Sequence, residues 1–132
     1  MSELVILEEL QEKCWRLFDY VYDKRQYMVE EHWTSHAEEV EDGIRFRDDC
    51  DGYACTMAEL LLNNGIPEDR IHLIYCICEN GEAHLVCGCT IGEDTYIAEN
   101  RYKKVYRWVD RKDYQWMYMM HLSDKGNWKK VL

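Results

Sequence analysis

Arg47-Asp48-Asp49-Cys50-Asp51-Gly52-Tyr53-Ala54 puts a cysteine where a charged segment gives way to an apolar-periodic one. From Ala54, the residues Met57, Ala58 and Leu61 follow at steps of three and four, the spacing of a helix with one buried face. Asn63, Asn64 and Gly65 supply a C-terminal stop, and Pro67 lies just beyond it. Cys50 is therefore predicted at or near a helix N-terminus, with Asp48 or Asp49 as the cap. Unpaired amides and the helix dipole there favour a thiolate and draw its pKa below the ordinary ~8.5. A buried structural cysteine gains nothing from that location. The three flanking aspartates oppose the effect, so ionisation there needs a cationic partner.

Upstream, Leu7, Leu10, Cys14, Leu17, Phe18 and Val21 recur at helical spacing with Glu8, Glu9, Glu12 and Lys13 between them. Ser2 is placed to cap that helix, and Cys14 falls on its apolar stripe. Tyr20, Tyr22 and Tyr27 lead into an acidic stretch, residues 30–42, around Trp33, read as a shorter helix and a loop at Asp42-Gly43. His32 and His36 are four apart, a spacing that can set two metal ligands on one helical face. The glutamate that follows the first histidine of a zincin is absent, because Trp33 stands there.

Downstream, residues 71–78 form a continuous apolar run bounded by turn signals, the pattern of a buried strand. Asn80-Gly81 is a strong hairpin cue leading into a second strand, residues 83–91. Gly92-Glu93-Asp94 turns the chain into residues 95–100. The alternating aromatics Tyr106 and Trp108, then Tyr114, Trp116 and Tyr118, predict two further strands of a meander, with Trp128 closing the sheet. The class is α+β, helices first and an antiparallel sheet after, in a single domain spanning 1–132.

A two-residue Asn80-Gly81 turn pairs Cys76 with Leu85 and Cys78 with Ala83, which puts Cys76, Cys78, Cys87 and Cys89 on one face. Zinc sites usually space their cysteines by two residues or more, and only one intervenes here. Small thiols in a reduced core explain the pattern equally well. In the same register His84 opposes Ile77 and points away from the cysteines, beside Tyr75, Val86 and Gly88. A helix packed on that face, with Gly88 allowing close approach, would bring Cys50 to His84.

A helix-start cysteine, a strand histidine and the polar pair Glu99-Asn100 follow the order that thiol-based acyl transfer needs. The thiol attacks a carbonyl, the imidazole moves the proton, and the third group fixes the imidazole tautomer. Asp49-Cys50-Asp51-Gly52-Tyr53-Ala54 before an apolar helix resembles the Asp-Cys-acid-acid-Tyr-Ala box of the bacterial transglutaminase-like cysteine peptidases. The likeness continues through His84 to Tyr96-Ile97-Ala98-Glu99-Asn100-Arg101, and Trp33 and Trp128 resemble tryptophans of that family. It covers about residues 30–130 at the level of motifs.

The resemblance implies a papain-like fold in its transglutaminase-core variant, with the nucleophile helix packed on an antiparallel sheet. It implies a peptidase or amidase acting on a protein or peptide substrate through Cys50, His84 and Glu99. Glu99 stands where the family has aspartate, and Asn100 is the alternative orienting group, as asparagine is in papain-type sites. Gly52 replaces an acid of the box. Periplasmic members bind calcium through acids around the cysteine, and with Gly52 only Asp49 and Asp51 remain of that set. Acyl transfer to an amine, glutamine deamidation, or a silent binding module on the same fold use the same residues. The Cys50 amide is the default oxyanion donor at a helix start, with the Trp33 region as a second source. Tyr53 either lines the cleft or staples its helix to the sheet.

Charge narrows the partners. The chain of 132 residues carries −10, unevenly: residues 1–100 hold 7 Lys/Arg against 23 Asp/Glu, and the rest 9 against 3. That balance argues against a nucleic-acid partner, since phosphate is repelled. Leu4-Val5-Ile6-Leu7, preceded by Glu3, is too short an apolar run for an export signal, and no run is long enough to span a membrane. Seven cysteines, an odd count, then point to a reducing cytoplasm with few disulfides, and nothing in the sequence demands a cofactor or metal.

Overall fold

In the computed structural model, which describes residues 2–21 and 34–131, a six-stranded sheet lies over the helix that begins at Cys50. Helix α1 (Glu3–Leu17) starts on Ser2, whose hydroxyl accepts the Val5 amide at 3.2 Å. Its apolar period runs on to Val21, yet the helix stops at Leu17 and β1 (Phe18–Tyr20) follows. Tertiary pairing overrides the local period. β1 runs parallel to β2 (Phe46–Asp48), Phe18 opposite Phe46 and Tyr20 opposite Asp48, and the Phe18 ring packs 4.9 Å from that of Tyr53. The short α2 (Ala37–Glu41) precedes β2, and Gly43 turns the chain at φ +74. Helix α3 (Cys50–Asn63) is capped by Asp49 and ends at Asn64, as its sequence predicts.

The strands are β3 (Ile71–Ile77), β4 (Ala83–Ile91), β5 (Asp94–Ala98), β6 (Tyr106–Arg107), β7 (Gln115–His121) and β8 (Lys129–Lys130). Their order is β6-β5-β4-β3-β7-β8, with each neighbour antiparallel. The expected meander is thus broken, because the chain crosses the sheet and β7 pairs with β3 instead of lying beyond β6. A meander would leave β3 at an edge, although its side chains are buried on both faces; a second neighbour satisfies its backbone. The α+β class with the cysteine helix against an antiparallel sheet holds.

The β3–β4 turn also departs from expectation. It is the three-residue loop Glu79-Asn80-Gly81, with Gly81 at φ +84, and Cys78 still donates to the Glu82 carbonyl at 2.9 Å. One extra loop residue shifts the register by one, so Cys76 faces His84 and Ile77 faces Ala83. Every β3 side chain therefore changes side relative to β4. Cys76 and Cys78 pack with Ile74, Val86, Ile97 and Tyr114, while Cys87 and Cys89 pack on the opposite face with Leu73, Leu85 and α3. The four thiols share no face, and all seven cysteines are free. What approaches Gly88 is Ile74 and not a helix: a Cβ there would meet Ile74 Cδ1 at 2.7 Å.

Acid should loosen this sheet at one identifiable point. His72 is 2% exposed, bonds the Thr90 hydroxyl at 2.7 Å, and meets His121 edge-on at 4.4 Å between ring centroids. Its Nδ1 is buried with no partner among the described residues. Burial first, and His121 second, push its pKa down to about 4. The unfolded chain then binds the proton more readily, so His72's contribution is intact above pH ~6.5 and is lost as pH falls towards 4. That loss reaches about 3 kcal/mol. Asp49, raised by burial to about 6, titrates in the opposite sense, so wild type is compared with His72→Gln. Urea unfolding between pH 7 and 4 should show a smaller stability loss in the variant.

Candidate active site

A cavity of roughly 660 Å³ opens at the start of α3, lined by Tyr20, Cys50, Glu82, Ala83, His84, Asn100 and Arg101. Cys50 stands there because Asp49 caps the helix: its Oδ1 accepts the amides of Asp51 and Gly52 at 3.0 and 3.1 Å. Backbone pairing of Val21 with Asp48 at 2.9 Å prolongs the β1–β2 ladder and fixes the approach to the cap. α3 packs on the Leu85 face of β4 and not on the His84 face the sequence suggests. It meets His84 at the opening end of the strand, where the Leu85 amide reaches the Cys50 sulfur.

His84 is 7% exposed, and its Nε2 lies 3.1 Å from Glu99 Oε1. Glu99 is 2% exposed and is held from several sides. Tyr114 donates to Oε1 at 3.1 Å, Tyr106 donates to Oε2, and the Glu99 carbonyl accepts from Gln11 Nε2 at 2.8 Å. A buried carboxylate with this many donors keeps a fixed orientation. Tyr114 in turn accepts from Arg101 at 2.6 Å, and Arg101 pairs with Glu79. The longer side chain at position 99 is thus accommodated by two tyrosines.

Cys50 and His84 share the cavity and Glu99 bonds the imidazole, whereas no hydrogen bond joins Asn100 to His84 among the described residues. Asn100 lines the cavity, and its Oδ1 is buried without a partner among the described residues. A second hollow of roughly 370 Å³ continues from Asn100 and Tyr20 towards Trp15, Arg16, Phe18 and Arg45. Trp33 and His32 lie outside the described residues. His36, considered as a metal ligand beside His32, instead faces Asp48 at 2.9 Å.

The electrostatics reverse the expectation for the thiol. Burial, then the Asp51 charge, push the Cys50 pKa up to about 12, against which the Leu85 amide works in the lowering direction. The resting group is a neutral thiol that donates to Asp51 Oδ1, 3.5 Å from the sulfur. Desolvation, invisible in a linear chain, outweighs the helix dipole here.

Three supports escaped sequence reasoning: Gln11, Tyr106 and Tyr114. Gln11 is fully buried on the α1 stripe, between Leu7 and Cys14, which is the one signal that could have singled it out. Its Nε2 also donates to the Tyr102 carbonyl at 2.7 Å, and its Oε1 accepts from the Tyr53 hydroxyl at 2.7 Å. Tyr53 therefore fastens α3 to α1 through Gln11, and its ring is buried in the core shared with β4.

Solved structures share this arrangement of helix and sheet. Legionella pneumophila LapG superposes with a TM-score of 0.74 at 20% identity, covering 98% of this chain and 70% of LapG. LapG in its calcium-bound form gives 0.75 at 21% identity (96% and 68% covered), and EGTA-treated LapG 0.71 at 22% (91% and 64%). No curated protein matches the sequence. The family model for the bacterial transglutaminase-like cysteine proteinases (BTLCP) matches residues 2–132, and the chain belongs to that family.

Proposed function

We propose that the protein is a cysteine-dependent hydrolase that cleaves a peptide or isopeptide-type amide through an acyl-thioester on Cys50. The observation that carries this reading is His84, lining the cavity beside Cys50 with its Nε2 bonded to buried Glu99. With Nε2 engaged, Nδ1 is the nitrogen left to take the thiol proton. Sulfur attacks the amide carbon as that proton passes to His84. The tetrahedral adduct collapses, the C–N bond breaks, and the amine leaves with the proton. Water, deprotonated by His84, then attacks the thioester and releases the acid and the thiol. Glu99 orients the ring and favours its protonated form during the step. Calcium, with which LapG has been solved, is given no part in these steps, because the carboxylates beside Cys50 are already engaged by protein donors.

A neutral thiol raised by burial makes the reaction depend on His84, and alkylation reads this directly. Iodoacetamide should modify Cys50 fastest of the seven cysteines at pH 7, since it lines the cavity with His84. His84→Ala should slow that modification at least ~10-fold, with the residual rate climbing as pH rises towards the thiol's own ionisation. An unchanged rate would remove His84 from the site, and uniformly slow alkylation of wild type would favour a binding module. The acceptor is water in this reading. Product masses carrying 18O from labelled water test it.

A further inference from the structure

Carboxylates crowd the start of α3, and each has a protein partner. Asp48 Oδ1 accepts the Asp49 amide at 2.7 Å, and its Oδ2 faces His36 Nε2 at 2.9 Å. Asp49 Oδ1 serves the amides of Asp51 and Gly52, while Asp51 Oδ1 faces the Cys50 thiol at 3.5 Å. Position 52 explains how Asp48 gets there. A Cβ at Gly52 would lie 1.9 Å from Asp48 Oδ2 and 2.0 Å from its Cγ, so the Asp48 carboxylate fills the space a side chain would take. Among the described residues, no three His, Cys, Asp or Glu side chains are grouped so as to hold a metal ion. Calcium takes six to eight oxygens, and this donor set does not fit it.

His36 is built into the same structure. Its ring stacks on Phe46 with centroids 5.0 Å apart and planes at 24°. Its backbone amide donates to Thr56 Oγ1 at 2.9 Å, and the Thr56 hydroxyl donates to the Gly52 carbonyl at 2.7 Å. The imidazole thus holds the residue before the cap of α3, and the main chain of His36 reaches the first turn through Thr56.

We propose that His36 is a positioning residue that does the work of a divalent cation at the nucleophile helix. Its Nε2–H holds Asp48, Asp48 holds the Asp49 amide, and Asp49 holds the amides that set the direction of Cys50. The chain then neither binds calcium at this collar nor needs it. Reactivity enters only through the reading of Cys50 as nucleophile; ion binding and melting do not depend on it.

The test uses the full chain with calcium or EGTA, followed by calorimetric titration, terbium luminescence, thermal melting and iodoacetamide labelling of Cys50. Wild type should give no saturable calcium heat up to about 1 mM, the weak end of protein calcium sites, and the same melting temperature in both buffers. His36→Ala should label at least ~10-fold more slowly, and free imidazole in the buffer should restore most of the rate. His36→Gln keeps an N–H within reach of Asp48 and should stay within about threefold of wild type. Saturable calcium binding by wild type, or a melting drop of several degrees in EGTA, would overturn the proposal. So would undiminished labelling of His36→Ala, or a glutamine variant as slow as the alanine one. Slow, His84-independent labelling of wild type would instead count against the nucleophile, with the calcium titration still deciding the ion.

Discussion

Cys50→Ala is expected to abolish turnover, a loss on the order of 10⁴-fold or more, with the melting temperature close to wild type. In the proposed reaction the Cys50 sulfur is the atom that forms the thioester, while His84, Glu99 and the α3 cap all remain. The stability cost should stay near 1 kcal/mol, because one small buried atom is removed and the Leu85 amide loses a weak acceptor. Peptide hydrolysis followed alongside thermal melting separates the two effects. Retained hydrolysis in this variant would reject the assignment of the nucleophile.

Glu99→Ala is expected to cost 10²- to 10⁴-fold in kcat/KM, about 3–5 kcal/mol of transition-state stabilisation, and far more than Asn100→Ala. Glu99 meets the imidazole at 3.1 Å, whereas Asn100 faces the cavity. Removing the carboxylate also strands the hydroxyls of Tyr106 and Tyr114 that donate to it, so unfolding stability should fall by roughly 2–4 kcal/mol. Because a stability loss alone could lower apparent activity, the rate is measured well below the variant's melting temperature. Labelling of Cys50 should fall with the rate, since a free ring takes the proton less efficiently. A larger loss in Asn100→Ala would reassign the orienting role to the amide.

The cap and periodicity of α3 are local, and they were legible around Cys50. The order of His84 and Glu99 was legible through the motif it resembles. The hairpin was not, because Gly81 serves equally as the second residue of a two-residue turn or the left-handed third residue of a longer one. That ambiguity of one residue decided which face each cysteine occupies. Gln11 and Glu99 are 88 residues apart, and Tyr114 and Glu99 are 15 apart, so no short window contains either contact. The crossing of β7 to β3 is equally non-local. The thiol's ionisation depends on burial, which exists only once the sheet has closed.

Gln11 joins the first helix to the strand end that carries Glu99 and, through Tyr53, to the helix that carries Cys50. Contacts of such long sequence separation exist only once the loop between them has been closed. A chain still emerging or partly unravelled thus carries its sulfur without the oriented imidazole. The proposed reactivity therefore depends on contacts that only the assembled fold supplies.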